Sequence, residues 1–296
     1  MTTLLCFGFG YTARHFVEQF GGRYDRIVGT TRSLAGRPPS AGPGVEKIAF
    51  DGGTVSPELL EALRDAHAVL ISIPPSAGQD PVLVRLADAW PSGRPVAIVY
   101  LSTVGVYGDH GGAQVDETTA PRPVSARSAA RLAAEQAWQA HGNRLGAPVA
   151  ILRLGGIYGP GQNALVNVAQ GRARRVVKPG QLFNRIHVAD IAQAIEAAIT
   201  RRAGDVYNVT DDEPAPPQDV IAYAATLLGR DPPPEVPLAE AARTMTPMAL
   251  SFYGENKRVL NHKLKSTFGL RLRYPTYREG IRALYEAGDF ATASPA

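Results

Sequence analysis

Cysteine is almost missing from this sequence, since Cys6 is the only one among 296 residues. A single thiol excludes an internal disulfide framework and a cysteine-rich metal site. Long apolar runs are also lacking, and those present are too short to span a bilayer. No basic segment precedes the first apolar run, so we expect no secretion signal there. These absences predict a cytoplasmic protein with no metal site and no membrane partner.

An excess of charge of one sign is lacking too, because 31 Lys and Arg residues against 27 Asp and Glu residues leave a net charge of +4. No basic stripe interleaved with aromatic residues is present, so we expect no nucleic-acid partner. One basic cluster comprises Arg172, Arg174, Arg175 and Lys178. It is interpreted either as a solvated face or as an anion clamp at a substrate phosphate.

Short apolar runs recur along the chain and alternate with amphipathic segments. The runs that predict strands are Leu4–Phe7, Ile27–Thr31, Val45–Phe50, Ala68–Ile73, Val96–Leu101, Val149–Leu154 and Val206–Val209. The segments that predict helices are Tyr11–Phe20, Pro57–Arg64, Val82–Trp90, Ser128–His141 and Val188–Arg201. This alternation predicts an α/β fold with a doubly wound parallel sheet. Ligands of such sheets lie outside the carboxyl ends of the strands.

The amino-acid composition changes after Gly155, where proline becomes more frequent. We predict a nucleotide-binding domain over 1–155 that is completed by 187–209. A smaller C-terminal substrate-binding lobe is predicted over 156–186 and 210–290. The small and polar residues 291–296 are predicted to form a flexible tail.

A glycine-rich turn joins the first predicted strand to the first predicted helix, in the order Gly8-Phe9-Gly10-Tyr11-Thr12-Ala13. Gly8 permits a tight turn, Gly10 leaves room for a pyrophosphate, and Ala13 lets the helix pack on the strand. The helix N-terminus then offers N–H groups and a partial positive charge to phosphates. The motif therefore predicts a dinucleotide site, and the alternative is a tight turn without a ligand.

The end of the second strand indicates which dinucleotide is bound. The sequence there is Thr31-Arg32-Ser33, with no acidic residue to accept from a ribose 2′-hydroxyl. Arg32 suits a 2′-phosphate, and the neighbouring hydroxyls can add donors, so NADP is favoured over NAD. The alternative for Arg32 is a solvent-facing loop charge. Asp51 either reaches the adenine amine or serves as a turn or helix-cap residue.

Three later motifs complete a resemblance to a known family. They are Ser102-Thr103-Val104-Gly105-Val106-Tyr107-Gly108, Arg153-Leu154-Gly155-Gly156-Ile157-Tyr158-Gly159-Pro160 and Arg185-Ile186-His187-Val188-Ala189-Asp190. With the glycine turn, the chain from Leu4 to about Asn208 resembles the extended short-chain dehydrogenase/reductase superfamily, the NAD(P)-dependent epimerase/dehydratase family. The resemblance implies a Rossmann fold, and it adds Ile73, Pro74 and Ser102 to the expected cofactor contacts.

The resemblance assigns the catalytic Ser/Thr role to Thr103, but the family's Tyr-x-x-x-Lys pair is replaced. Arg131 stands at the lysine position and Arg127 at the tyrosine position. Arginine keeps its proton and has no acceptor, so Arg127 cannot replace the tyrosine as acid or base. Arg131 can still bind the ribose hydroxyls as a fixed cation. The alternative is that both arginines lie on the surface of an amphipathic helix.

Other groups are candidates for proton transfer, and Tyr107 is foremost because it follows Thr103 by four residues. The remaining candidates are Tyr158, His110, Asp109 and Asp116. His187 is expected to be structural. Family dehydratases carry an acidic pair after this threonine, and the resemblance aligns that pair with Val104 and Gly105. We therefore do not expect sugar-nucleotide dehydration.

Two functions follow from these observations. The first is an NADP-dependent oxidoreductase or epimerase acting on a polar small molecule such as a nucleotide sugar. The second is a catalytically silent NADP-binding sensor or scaffold. Family members often dimerise through two long helices, so the resemblance also implies a homodimer formed by Val82–Trp90 and Ser128–His141.

Overall fold

The structure, a computed structural model, describes residues 1–34, 44–76, 78–91 and 96–291. Its strands are β1 (Thr3–Phe7), β2 (Arg26–Thr31), β3 (Val45–Ala49), β4 (Ala68–Ile71), β5 (Ala97–Thr103), β6 (Gln114–Val115), β7 (Val149–Leu154), β8 (Gly156–Tyr158), β9 (Arg175–Val177), β10 (Arg185–His187), β11 (Val206–Val209), β12 (Glu235–Pro237) and β13 (Arg258–Val259). Its α-helices are α1 (Tyr11–Phe20), α2 (Pro57–Asp65), α3 (Pro81–Leu86), α4 (Ala126–Leu145), α5 (Ala164–Ala169), α6 (Val188–Thr200), α7 (Pro217–Leu227), α8 (Leu238–Ala241), α9 (Pro247–Ser251), α10 (His262–Phe268) and α11 (Tyr277–Glu286). Short 3₁₀ turns occupy Gly21–Arg23, Val104–Tyr107 and Phe252–Gly254.

Among the described residues, the central parallel sheet has seven strands in the order β11-β7-β5-β4-β1-β2-β3. The chain begins in the middle, moves out through β2 and β3, and then returns to β4 on the other side of β1. This reversal is the switch point of a doubly wound sheet, where ligands bind at the carboxyl ends of the strands. The predicted fold class, a Rossmann fold, is therefore confirmed.

The third predicted helix is shorter than expected. The sequence predicts Val82–Trp90, whereas α3 ends at Leu86. Asp80 caps its start, since Oδ1 accepts from the N–H groups of Val82 and Leu83 at 2.9 and 3.1 Å. Pro91 disfavours a helical conformation at Trp90, so the helix could not continue to the predicted end.

The chain divides into two compact units. Unit 1 comprises 1–106, 126–153 and 191–207, and unit 2 comprises 107–125, 154–190 and 208–296. This division differs from the predicted one mainly at 107–125, which the sequence assigned to the nucleotide-binding domain. The segment belongs to unit 2 because its strand β6 pairs with β13.

The core of unit 1 lies against the sheet and includes both tryptophans of the chain. Trp90 and Trp138 pack edge to face with ring centroids 5.7 Å apart. The Trp138 Nε1 donates to Asp80 Oδ2 at 3.0 Å, which ties α4 to the start of α3. Trp138, which lies in one of the two segments expected to form a homodimer, is fully buried inside unit 1. The homodimer stays a prediction.

Unit 2 has a core of its own. Its buried apolar side chains come from β8, α5, α7 and α11 and include Leu165, Ala224 and Ile281. Asp190 holds a later segment in place, because its carboxylate accepts from the backbone N–H groups of Arg273 and Tyr274 at 2.6 and 3.1 Å. The predicted tail 291–296 lies outside the described residues except for Ala291.

The described ranges contain neither a membrane-spanning helix nor a cluster of metal-binding side chains. No helix there combines the length and apolar character needed to cross a membrane. Within the same ranges, no group of three or more His, Cys, Asp and Glu side chains is arranged to hold a metal ion.

Candidate functional site

The glycine turn after β1 depends on a residue without a side chain. Gly8 has a φ of +88°, and a Cβ there would lie 2.5 Å from Ile73 Cγ2. Its N–H donates to Thr30 Oγ1 at 2.9 Å, which holds the turn against β2. The tight turn predicted for Gly8 is therefore required both by conformation and by space. Ile73 and Pro74, two further predicted contacts, follow β4 beside this turn, with Ile73 half-buried and Pro74 exposed.

Gly10 leaves the N-terminus of α1 open. A Cβ at Gly10 would meet nothing within 4 Å, and no side chain of the described residues caps this helix end. The first helical bond runs from Arg14 N–H to Gly10 O at 3.0 Å, so the N–H groups of the first turn have no intrahelical acceptor. Room, aligned donors and the helix dipole together suit a phosphate group.

The other residues of the glycine motif mainly support the turn. The Phe9 ring lies against β2, where a Cβ on Gly29 would be 2.6 Å from Phe9 Cγ. Thr12 is buried, while Tyr11 is half-buried and its ring packs on His15 at 4.6 Å. Phe9, Tyr11 and Thr12 can therefore contact a cofactor through the backbone that they position.

The end of β2 presents an arginine to solvent. Arg32 is exposed, and no carboxylate or carbonyl of the described residues pairs with it. Thr31 Oγ1 donates to the carbonyl of Ser33 at 2.7 Å, which shapes the loop around the guanidinium group. Asp51 forms a turn, since its Oδ1 accepts from Gly53 N–H at 2.8 Å. Of the two roles weighed for Asp51, the structure displays the turn.

The carboxyl end of β5 is anchored to α4 by a buried hydrogen bond to a carboxylate that also pairs with an arginine of β7. Ser102 Oγ donates to Glu135 Oε1 at 2.5 Å. Arg153, on β7, donates to both oxygens of Glu135, with the shortest contact at 2.7 Å. All three side chains are at most 5% exposed. The hydroxyl of Ser102, a predicted cofactor contact, is thus engaged by Glu135.

Thr103 follows Ser102 in sequence, but its hydroxyl makes a different hydrogen bond. Its Oγ1 accepts from Gly105 N–H at 3.1 Å, and no acceptor for its own hydrogen occurs among the described residues. A Cβ on Gly105 would lie 2.8 Å from Ser128 Oγ and 3.4 Å from Thr103 Oγ1. The two hydroxyls therefore flank Gly105, and Thr103 can donate to a ligand oxygen.

Arg131 points back to the end of β5. Its Nη1 donates to Leu101 O at 2.8 Å and to Tyr100 Oη at 3.1 Å. Its guanidinium lies over the Tyr100 ring, 5.7 Å from the centroid. Nε and Nη2 have no acceptor in the described part of the chain, so they can bind a ligand. Arg127, one turn earlier on α4, is exposed.

Tyr107, the third predicted catalytic residue, is a buried residue of unit 2. Its hydroxyl donates to Asn208 Oδ1 at 2.8 Å, and its ring is fully buried. Asn208 in turn donates its backbone N–H to Glu117 at 2.7 Å. Tyr107 holds this segment of unit 2 together, and its predicted role in catalysis stays a prediction.

The remaining candidates for proton transfer are engaged with backbone in unit 2. Asp109 accepts from Asn256 N–H at 2.8 Å, and this bond lowers the pKa of its carboxyl. Asp116 accepts from the Thr118 hydroxyl, which also lowers its pKa. His110 Nε2 lies 3.1 Å from Tyr107 O. His187 Nδ1 accepts from Ala189 N–H at 3.1 Å at the start of α6, as expected of a structural residue.

Sequence reasoning missed Ser128 and the role of Glu135. A signal for both was present, because Ser128, Arg131 and Glu135 are spaced by three and four residues and so share one face of α4. The basic cluster, by contrast, is dispersed. Arg175 binds Glu235 at 2.8 Å, and Lys178 donates to Tyr253 O at 2.5 Å.

A family model and several known proteins are similar to this chain. The model for the NAD dependent epimerase/dehydratase family matches residues 82–210. Protein YeeZ of Escherichia coli is 29% identical over 76% of this chain and 84% of its own length. A 3-diazoavenalumate denitrifying reductase of a Streptomyces species is 28% identical over 44% of this chain, and the match spans only 45% of that reductase.

Among the similar solved structures, two examples align with nearly the whole chain. A functionally unknown conserved protein from Silicibacter pomeroyi is 45% identical, with a TM-score of 0.85 and coverage of 97% of this chain and 99% of that one. UDP-glucose 4-epimerase of Thermus thermophilus, in complex with NAD, has a TM-score of 0.75 at 22% identity. It covers 99% of this chain and 100% of its own. At that identity, the second likeness bears on the fold alone.

Proposed function

We propose that the chain, whose residues 82–210 match the model for the NAD dependent epimerase/dehydratase family, is an NADP-dependent oxidoreductase or epimerase of that family. Its substrate is a polar small molecule of the nucleotide-sugar kind. The observation that carries the proposal is the open N-terminus of α1 at Gly10, beside an Arg32 that pairs with no described residue. The proposed location is the cytoplasm.

The cofactor is proposed from the fit of these residues to its phosphates. The backbone N–H groups at the start of α1 would hold the pyrophosphate, with Gly8 and Gly10 allowing its close approach. NAD is bound in the Thermus thermophilus epimerase, which supports a nicotinamide dinucleotide here. Arg32 would bind the 2′-phosphate through its planar fork and so favours NADP.

The proposed chemistry uses few groups of unit 1. The nicotinamide, when bound, supplies or accepts a hydride. Thr103 would donate its hydroxyl hydrogen to the reacting oxygen of the substrate, and Arg131 would hold the ribose through Nε and Nη2. Arg127 cannot move a proton as the family tyrosine does, because a guanidinium stays charged. Proton transfer would therefore pass through Thr103 or water.

A second candidate function rests on that same substitution. Arg127 occupies the position of the family's catalytic tyrosine, which favours a protein without turnover. Such a protein, a redox sensor or scaffold, would still need the glycine turn in order to bind NADP. Both functions require cofactor binding, and they differ only in turnover.

Cofactor binding is tested by titrating the protein with NADPH and NADH, followed by nicotinamide fluorescence. We expect NADPH to bind more tightly, and Arg32→Ala to weaken NADPH about tenfold or more while leaving NADH unchanged. Arg144→Ala, which removes an equal charge from the last turn of α4, is the matched control. Failure of both nucleotides to bind would refute both functions.

Turnover separates the two functions. A panel of nucleotide sugars, including UDP-glucose, is incubated with NADPH or NADP and analysed for cofactor absorbance and sugar epimers. Activity with any member supports the enzyme. Tight NADPH binding without turnover across the panel favours the silent sensor or scaffold.

A further inference from the structure

Unit 2 contains a cavity of about 240 Å³ that lies among β8, α5, β10, α7 and α11. Of the residues predicted to bind the cofactor or transfer a proton, only the alternative candidate Tyr158 is among its lining residues. A cavity of about 150 Å³ is enough to bind benzene, so a one-ring molecule fits. The cavity therefore suits a one-ring ligand, which is smaller than the proposed cofactor.

Arg185, on β10, supplies a largely buried positive charge to this cavity. Its Nη1 donates to the carbonyls of Phe183 and Ala215, each at 3.0 Å. No carboxylate of the described residues lies within ion-pair distance of its guanidinium group. Asp211 is the carboxyl whose charge acts most strongly on this guanidinium group, and burial raises the pKa of Asp211 to about 8. A buried guanidinium without a counter-charge is costly, which an outside anion would relieve.

Arg174 supplies a second positive charge, from the exposed rim of the same cavity. Its Nη1 donates to Thr244 Oγ1 at 2.8 Å, which fixes the side chain. Its remaining N–H groups meet no acceptor in the described part of the chain. Two guanidinium groups that face one cavity and lack carboxylate partners indicate an anionic ligand, because guanidinium forks match carboxylate geometry.

The inner wall of the cavity is aromatic and apolar, and one of its polar atoms lacks a partner. Tyr277 is fully buried, and its hydroxyl makes no hydrogen bond to any described residue. Tyr158 makes only a long contact, 3.4 Å, to Thr276 O. A buried donor left without an acceptor is unfavourable. The two phenols are therefore groups that a ligand could satisfy.

Gly280 shows how closely the wall is built. A Cβ there would lie 2.1 Å from the Tyr158 hydroxyl, so no other residue fits at this position of α11. The absence of a side chain at Gly280 lets the hydroxyl end of Tyr158 lie close to the backbone of α11. Val220 of α7 and Ile281 of α11 complete an apolar surface beside the two rings.

We propose that this cavity is a binding site for a small aromatic carboxylate. Arg174 and Arg185 take the carboxylate, the Tyr277 hydroxyl donates to the ligand, and the ring packs on Tyr158 and the apolar side chains of α7 and α11. Binding needs no nicotinamide cofactor, since every lining residue belongs to unit 2.

The test is calorimetric titration of the full chain with benzoate, using benzamide and inorganic phosphate as comparison probes. We expect benzoate to bind with a Kd of about 1 mM or tighter, and both comparison probes to bind at least about tenfold more weakly. Arg174→Gln and Arg185→Met should each weaken benzoate about tenfold or more, and Tyr277→Phe about threefold to tenfold. Arg172→Gln, which removes an exposed charge from the same segment without lining the cavity, should leave the Kd unchanged.

NADPH affinity is measured on the same variants and should not change, which separates this site from the proposed cofactor site. Arg174→Gln and Tyr277→Phe keep the test decisive if Arg185→Met fails to fold. No benzoate binding up to about 10 mM would overturn the assignment. An equal loss in Arg172→Gln and Arg174→Gln would overturn it as well, and so would phosphate or benzamide binding as tight as benzoate.

Discussion

Thr103 differs from its neighbour Ser102 in what its hydroxyl hydrogen can do. Ser102 gives its hydrogen to Glu135, whereas Thr103 Oγ1 accepts from Gly105 N–H and keeps its own hydrogen for a ligand. The two adjacent hydroxyls at the end of β5 thus have different roles. Ser102 fixes the strand to α4, and Thr103 is left to meet a substrate oxygen.

Replacing Thr103 by valine keeps the shape of the side chain and removes this donor. With any substrate that the panel identifies, we expect Thr103→Val to lower kcat/KM about 100-fold, the usual effect of losing one donor to a developing charge. Thr103→Ser should stay within about tenfold of the wild type, and NADPH affinity should not change in either variant. Steady-state kinetics check this, and an unaffected Thr103→Val enzyme would exclude Thr103 from the chemistry.

Individual residues were predictable from the sequence to the extent that backbone geometry decides their role. Gly8 at a φ of +88° follows from the strand–turn–helix order alone. Hydrogen-bond partners far away in sequence could not be foreseen, and Glu135 captures Ser102 across 33 residues. The turn formed by Asp51 is local, since Gly53 is two residues away, but the sequence alone could not decide between this turn and a contact with the adenine.

The element that orders this end of the sheet is α4, which Glu135 clamps to β5 and β7. Removing one charge of a buried pair leaves the other uncompensated. We therefore expect Glu135→Gln to lower the free energy of unfolding of unit 1 by about 3 kcal/mol. Both tryptophans of the chain lie in unit 1, so urea unfolding followed by tryptophan fluorescence reports this loss.

The surface pair formed by Arg144 and Asp88 serves as the control. Asp88 is 96% exposed, so Asp88→Asn should change stability by less than about 1 kcal/mol. Equal effects of Glu135→Gln and Asp88→Asn would mean that burial adds nothing to the Glu135 pair.

Elements were more predictable than their assignment to a unit. Hydrophobic periodicity located α1, β7 and β11 at their observed ends because local patterning decides them. The segment 107–125 was assigned to the nucleotide-binding domain because its neighbours in sequence belong there. Its strand β6 instead pairs with β13, more than a hundred residues later, and no local pattern encodes that pairing.

At the scale of the whole molecule, pH acts through a buried carboxyl in unit 2. Burial raises the pKa of Asp211 from 3.8 to about 8, against the opposing effect of the Arg185 charge. Asp212 and Glu213 raise it further through their negative charges. The folded chain therefore holds this proton more tightly than the unfolded chain does.

A raised carboxyl pKa stabilises the fold below the unfolded value and loses that contribution as pH rises toward the folded value. Between about pH 4 and about pH 8, Asp211 should lower stability by up to about 1.4 kcal/mol per pH unit. Asp211→Asn cannot ionise, so its stability relative to the wild type should increase across this range. Denaturation followed by circular dichroism at several pH values tests this, and a pH-independent difference between the two proteins would contradict it.

The chain passes from one unit to the other after residues 106, 125, 153, 190 and 207. Neither unit is a continuous stretch, and the edge strand β11 ends only at Val209. During synthesis, β7 therefore leaves the ribosome before the strand that covers its outer edge, and an uncovered edge invites pairing with other chains. An N-terminal domain usually folds before the next domain is made. Unit 1 cannot do so, because its last segment follows segments of unit 2. The first domain is finished only after much of the second has been translated.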